Sequence, residues 1–142
     1  MGLDMYLYKK VYIGVGDTVT VTHNNNVKGT YKNVRSFTQE VMYWRKANQI
    51  FRWFEKNVCD DSVCDDCKDY LVSYDKIEEL IDTCEEVLNN HDKAPELLPT
   101  HTGFFFGSLE YDDWYFKELQ YTVDELKKIE DDGNDFIYRA WW

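Results

Sequence analysis

The sequence predicts an α+β fold, with a small mixed or antiparallel sheet formed by N- and C-terminal strands and packed with about three helices. Residues 3–13, 18–22 and 135–142 are rich in β-branched and aromatic side chains, which favour strands. Between them, three longer segments carry apolar residues at helical spacing. Strands at both ends with helices between favour α+β over a parallel doubly wound sheet. The length of 142 residues suits one domain, 1–142.

The N-terminal third predicts three short strands joined by turns. Residues 3–13 form the first, and residues 18–22, with the sequence TVTVT, form the second. Gly14, Gly16 and Asp17 supply the turn between them, and residues 24–26, three asparagines, mark the next turn. Residues 29–35 are then the third strand.

Ser36 is predicted to begin the first helix, because Gln39 three residues later completes a capping box. The apolar stripe of this helix is Val41, Trp44, Phe51, Phe54 and Val58. Helical spacing would place Arg45, Asn48 and Arg52 together on another face. Such a face either grips a phosphate or carboxylate, as in a nucleotide, or pairs with acidic segments of the same chain.

The C-terminal half predicts two more helices and two strands. Ser73 caps a helix that runs to about Leu88, and a third helix covers about Asp112 to Glu130. Residues 103–107, with the sequence GFFFG, are predicted as a short buried strand. Residues 132–134 turn the chain, and residues 135–142 return as a strand that pairs within the N-terminal sheet.

The cysteines give the strongest signal for a site. Cys59, Cys64 and Cys67 share one loop, and Cys84 follows on the second helix. A C-x2-C pair followed by a ligand on a helix is a recurrent arrangement in tetrahedral zinc sites. We therefore predict a structural zinc held by these four residues, with His91 as a substitute for one of them. The alternative is that Cys84 is a plain core residue and the loop thiols are free.

The net charge of −11 is unevenly distributed. Residues 1–58 carry nine basic and four acidic residues, whereas residues 59–92 carry two basic and twelve acidic residues. A negative field repels nucleic acid and membranes and attracts basic partners. The predicted partner-binding surface consists of outward carboxylates that could stand in for DNA phosphates, namely Asp65, Asp66, Glu78, Asp82, Glu85 and Glu86. The simpler interpretation is a solvated helix face that keeps an aromatic-rich protein in solution.

Catalytic signatures are missing from the sequence. It contains no P-loop, no dinucleotide-binding glycine motif, no G-x-S-x-G and no H-E-x-x-H. His23, His91 and His101 are scattered over predicted loops. We therefore expect a binding protein and not an enzyme. The opening residues also lack the pattern of a signal peptide, which predicts a location in the cytoplasm.

Several segments resemble small acidic proteins encoded by bacteriophages and prophages. These segments span nearly the whole chain and include GLDMYLYK, EVMYWRKANQIFRWF, DDCKDYLVS, LIDTCEEVL and ELLPTHTGFFFGSLEYDDWYF. Some members carry a phosphoglycerate kinase label, which this chain does not support because such a kinase needs two large domains. Cys67 and Cys84 match the pattern of this family, whereas Cys59 and Cys64 are extra cysteines of this chain. The resemblance therefore gives less support to a four-cysteine metal site shared by the whole family.

The resemblance implies an anti-defence role, of which anti-CRISPR activity is the best-populated class. We therefore predict an inhibitor in the host bacterial cytoplasm that binds a type II CRISPR effector nuclease through its acidic surface, without contacting nucleic acid or membrane itself. The alternatives are a pocket that sequesters a nucleotide-type defence signal and an uncharacterised enzyme. The sequence does not predict an oligomeric state.

Overall fold

The computed structural model describes residues 2–59, 64–103 and 106–142. The elements within these ranges are β1 (Asp4–His23), β2 (Asn26–Arg45), α1 (Asn48–Asn57), β3 (Tyr70–Val72), α2 (Tyr74–Asn89), a 3-10 turn (His91–Lys93), α3 (Ala94–Leu97), α4 (Asp113–Leu126) and β4 (Asp135–Trp141). The four strands form one antiparallel sheet in the order β2-β1-β4-β3. This architecture confirms the predicted α+β class.

The two ends of the chain meet in the middle of the sheet. β1 pairs with β4 from Asp4 opposite Trp141 to Lys10 opposite Asp135, as the sequence predicted for the C-terminal strand. Because side chains alternate along a strand, Met5 and Leu7 point to one face and are buried there. The alternate residues of β4 that are buried are Phe136, Tyr138 and Ala140.

The helices cover the buried face of the sheet. Phe54 on α1 stacks on Tyr138, with ring centroids 3.8 Å apart and an interplanar angle of 8°. The Trp44 indole is buried and donates a hydrogen bond of 2.9 Å to Thr122 Oγ1 on α4. Sheet and helices therefore share one core. Within it, the indole nitrogen of Trp44 has the hydrogen-bond partner that a buried polar atom needs.

The predicted helix start at Ser36 is wrong, because residues 36–45 belong to β2. Ser36 lies opposite Tyr12 and Gln39 opposite Lys9 in the β1–β2 ladder. Met42 and Trp44 alternate into the core, but a register shift beside Leu7 leaves Val41 as an extra residue. The bulge breaks the period of two, so Val41 packs against the core in addition to Met42 and Trp44. Inward residues three apart, such as Val41 and Trp44, imitate the spacing of a helix. Pairing with β1 overrides the local capping signal.

The predicted strands 3–13 and 18–22 merge into β1, and residues 29–35 lie within β2. Asn24 and Asn25 connect the two strands, both with positive φ, of 48° and 62°. Such a turn matches the twist of a hairpin. β4 covers β1 only as far as Lys10, and none of residues 12–40 is buried. Residues 13–35 therefore extend from the body as a two-stranded ribbon, which we call the arm.

The predictions for the C-terminal half are largely confirmed. The Ser73 hydroxyl accepts from the backbone N–H of Lys76 at the start of α2, and Asp112 accepts from Tyr115 at the start of α4. α4 ends at Leu126, earlier than predicted. In the predicted strand 103–107, residues 104–105 lie outside the described residues, and the others adopt no strand.

Two buried tyrosines provide a test of the core. The Tyr138 hydroxyl is fully buried and has no hydrogen-bond partner among the described residues, and burial raises its pKa well above the usual value. Tyr138→Phe should therefore raise the free energy of unfolding by about 1 kcal/mol, because it removes a buried polar group that gains nothing in return. Urea denaturation measures this change.

Tyr115→Phe is the matched control. The Tyr115 hydroxyl donates to the carbonyl oxygen of Leu98 at 2.7 Å. Its removal should lower the free energy of unfolding by about 1 kcal/mol, since the buried acceptor loses its partner. Equal losses in the two variants would contradict the assignment of Tyr138 as unpaired.

Candidate functional site

α2 presents an acidic outer surface because its apolar residues all face inward. Ile77, Leu80, Ile81, Cys84 and Val87 are buried. The opposite positions carry Asp75, Glu78, Glu79, Asp82, Glu85 and Glu86, so the predicted carboxylates of this helix do point away from the core.

Three of these carboxylates are neutralised within the molecule. Lys76 pairs with Glu79, Lys93 with Glu86, and Lys127 with Glu85. The sequence suggested Arg45 and Arg52 as internal partners, but these lysines take that place. Glu78 and Asp82 are exposed and have no ion-pair partner in the described part of the chain. Asp75 is also exposed and without an ion-pair partner among the described residues, so the field of the α2 surface comes mainly from these three side chains.

A groove lies beside Glu78 and Asp82. It has a volume of about 360 Å³ and is lined by Tyr74, Glu78, Ile81, Asp82, Glu85 and Lys127. We call it the α2 groove. The Glu85–Lys127 ion pair stands in its wall, while Ile81 and the ring of Tyr74 supply apolar surface. An occupant can thus contact apolar atoms and two unpaired carboxylates at once.

The other predicted partner-binding acids lie in the loop before β3. Asp65 pairs with Lys68 at 3.2 Å, and Asp66 accepts a hydrogen bond from the backbone N–H of Trp142. Both carboxylates are exposed, but they hold this loop to itself and to the C-terminus. Asp60 and Asp61, which precede Asp65 in the sequence, lie outside the described residues.

The cysteines predicted to bind zinc occupy three different environments. Cys59 and Cys64 form a disulfide, Cys67 is exposed, and Cys84 is fully buried on α2. Burial raises the pKa of the Cys84 thiol, which disfavours the thiolate that zinc requires. No metal-ligating cluster of three or more His, Cys, Asp or Glu side chains occurs in residues 2–59, 64–103 and 106–142. A disulfide and a zinc thiolate are alternative states of Cys59 and Cys64, so the zinc site stays a prediction.

Arg45, Asn48 and Arg52 do not share one helical face. Arg45 ends β2 and lies 3.9 Å from Asp4, while Arg52 on α1 pairs with the buried Glu55. The buried Asn48 side chain donates to the carbonyl oxygens of Phe106 and Ser108 and accepts from the N–H of His101. Its amide therefore holds the 101–108 segment against α1 and has a structural role.

A cleft next to the first turn of α1 was not predicted. It has a volume of about 310 Å³, and its walls include Arg45, Lys46, Glu110, Trp114 and Glu118. Gly107 forms its base with φ of +99°, and a Cβ there would lie 2.8 Å from the Lys46 carbonyl oxygen. Burial raises the pKa of Glu118. The sequence signal for this cleft was Gly107. The sequence pattern predicts it within a strand, whereas its positive φ and its close approach to Lys46 belong to a turn.

Comparison of the chain with family models, with curated proteins and with solved structures finds no match in any of the three. Among the described residues, no helix is both long and apolar enough to cross a membrane. The fold and the α2 groove together define the class of protein: an α+β domain with an acidic groove on one helix.

The zinc prediction can be tested directly. Protein purified with reductant should contain about one zinc per chain by elemental analysis, and Cys64→Ser should remove it and lower the melting temperature, because binding energy at a structural site is folding energy. Cys84→Ser tests the fourth predicted ligand: loss of zinc would support Cys84, whereas retained zinc would favour His91 in its place. Absence of zinc from the reduced wild-type protein would end the prediction.

Proposed function

We propose that this protein is a non-catalytic binding protein that places its α2 groove against a basic surface of a partner protein. The observation that supports this proposal is the pair Glu78 and Asp82, exposed carboxylates without ion-pair partners in the described ranges. Most neighbouring acids on α2 have a lysine of their own. A partner that supplies cations to this pair gains charge attraction without breaking an internal ion pair.

The apolar lining of the groove adds a second contribution. Tyr74 is half-buried and donates its hydroxyl to the Ile129 carbonyl oxygen at 3.3 Å, so its ring is held in place. A rigid aromatic side chain loses little conformational entropy on binding, which is why tyrosine is frequent among residues that dominate interfaces. Charge would then steer the encounter, and the groove would supply the lasting contact.

The particular partner we propose is a type II CRISPR effector nuclease, in the cytoplasm of a bacterial host. Such nucleases hold nucleic acid in a positively charged channel that recognises its backbone and not its sequence. A surface with exposed carboxylates can occupy such a channel in place of phosphates. The choice of this nuclease rests on the resemblance to phage-encoded proteins, and the choice of a basic surface rests on the charges of α2.

The test uses Glu78→Gln together with Asp82→Asn. This double variant should fold normally, because surface substitutions usually change stability by no more than about 0.5 kcal/mol. It should slow association with the guide-loaded nuclease and flatten the salt dependence of association, since exposed charges act mainly on the rate of encounter. Surface plasmon resonance at several salt concentrations measures both effects, and a DNA cleavage assay measures inhibition.

The control is Asp17→Asn together with Glu40→Gln, which removes the same charge from the exposed hairpin. Equal effects of the two double variants would show that only net charge matters, and the α2 groove would be discarded. If the wild-type protein neither binds nor inhibits the nuclease, this partner is wrong. Capture of another nucleic-acid-binding protein that depends on Glu78 would retain the groove with a different partner.

The cleft next to α1 favours a second candidate function, the binding of a nucleotide. Arg45 and Lys46 supply positive charge beside the start of α1, and Trp114, which also lines the cleft, is 77% exposed. A phosphate and a base could occupy these two ends, although Glu110 and Asp112 oppose the charge of a phosphate. Arg45 is the one residue of the predicted anion-binding set that lines this cleft.

Isothermal titration calorimetry with ATP and with a cyclic dinucleotide separates the two candidates. Nucleotide binding predicts saturable heat that Lys46→Ala abolishes and that Glu78→Gln leaves unchanged. The matched control is Lys56→Ala on α1, which also removes an exposed lysine. Heat that does not saturate, or that persists in Lys46→Ala, would exclude the cleft as a nucleotide site.

A further inference from the structure

The arm is a long ribbon that the body does not cover. Beyond Tyr12, whose N–H and hydroxyl bond to Asn134 and Asp135, the strands β1 and β2 pair only with each other. Residues 13–23 extend it by roughly 35 Å at the usual rise of a strand. Val21, Val27 and Tyr31 are exposed on it. An isolated two-stranded hairpin is marginally stable in water, and its open edges and exposed apolar side chains favour association with a partner.

The charge of the arm is opposite to that of the rest of the molecule. It contains Lys28, Lys32 and Arg35 against the single acid Asp17. None of these three cations has an ion-pair partner among the described residues, whereas six lysines of the body pair with carboxylates, as Lys9 does with Asp132 and Lys128 with Glu125. The arm therefore projects unneutralised positive charge from an acidic body.

One face of the ribbon carries hydroxyls together with a cation. The Thr20 and Thr30 hydroxyl oxygens lie 3.3 Å apart across the two strands, which places both on that face. Lys32 stands two residues after Thr30 in β2, so it points the same way, and Lys28 is the extra residue at the register shift beside Val21, near the end of the ribbon. Val19 and Tyr31 are paired on the opposite face. One side of the arm thus offers ammonium and hydroxyl donors, which are the groups that contact phosphate oxygens.

From this arrangement we propose that the arm binds double-stranded DNA, with Lys28 and Lys32 directed to the phosphates. The major groove of B-form DNA is about 12 Å wide and admits a two-stranded β-ribbon. The major groove of A-form RNA is too narrow for side chains to enter. Duplex DNA carries one negative charge per roughly 1.7 Å of axis, which is far denser than the partly neutralised carboxylates on a second copy of this chain.

The net charge of −11 does not oppose this contact, because the negative charge is distant from it. Lys28 lies near the end of the ribbon, roughly 30 Å beyond the last residue of β1 that pairs with β4. The Debye length at physiological ionic strength is about 8 Å. The body is therefore screened from phosphates at the end of the arm. The expectation that an acidic chain avoids nucleic acid rests on the net charge of the whole molecule. In the fold, the negative charge lies on the body and the arm carries net positive charge.

The experiment is fluorescence anisotropy with a labelled duplex of roughly 20 base pairs and mixed sequence, at NaCl concentrations from about 50 to 200 mM. The wild-type protein should bind, with an affinity that falls as salt rises. Lys28→Gln together with Lys32→Gln should make the slope of log affinity against log salt shallower by about 2, because two phosphate contacts are lost. Lys32→Gln alone should make it shallower by about 1.

The charge-matched control is Lys56→Gln together with Lys117→Gln, two exposed lysines of the body. It should leave the slope unchanged. Circular dichroism confirms that each variant is folded, and Lys32→Gln alone provides an independent test if the double variant is not. A duplex RNA of the same length should bind more weakly than DNA.

Four results would overturn the proposal. The first is no saturable anisotropy change with up to about 100 μM protein at the lowest salt. The second is an equal effect of the arm and body double variants. The third is RNA binding as tight as DNA binding. The fourth is that light scattering shows a dimer of the wild-type protein, a monomer of the arm double variant, and no DNA binding by either. That result would identify a second copy of this chain as the partner of the arm.

Discussion

The antiparallel pairing of β1 with β4 is the interaction on which the rest of the structure depends. It joins the first and last strands of the chain, and α1, α2 and α4 pack on the face that this pair buries. Met5 and Leu7 of β1 and Tyr138 of β4 lie on that face, and Phe54 of α1 stacks directly on Tyr138. Because the two strands are far apart in sequence, their pairing closes the chain around α1, α2 and α4.

The same pairing defines where the body ends. β4 covers β1 only from Asp4 to Lys10, although β1 continues to His23. Beyond this limit β1 has only β2 as a neighbour, and no residue from 12 to 40 is buried. The length difference between the two strands therefore creates the arm, and with it an acidic body and a basic extension in a single chain.

Ion pairing, more than composition, decides which charges are available to partners. Glu85 and Glu86 look equivalent to Glu78 and Asp82 in the sequence, but each has a lysine beside it in the folded chain. Exposed ion pairs contribute little to stability, typically about 0–1 kcal/mol, yet they remove charge from the surface that a partner meets. The proposals for the α2 groove and for the arm both rest on charges that remain after this internal neutralisation.

The sequence by itself determined the fold class, the cap at Ser73 and the inward face of α2, because these depend on local periodicity and on side chains close along the chain. It also placed the carboxylates of α2 on the outside. It misassigned residues 36–45, since the bulge at Val41 imitates helical spacing and only pairing with β1 distinguishes the two. The tertiary structure alone decided the length of the arm, the lysine partners of Glu85 and Glu86, and the separation of Arg45 from Arg52. Each of these depends on contacts between residues distant in sequence, which no local pattern encodes.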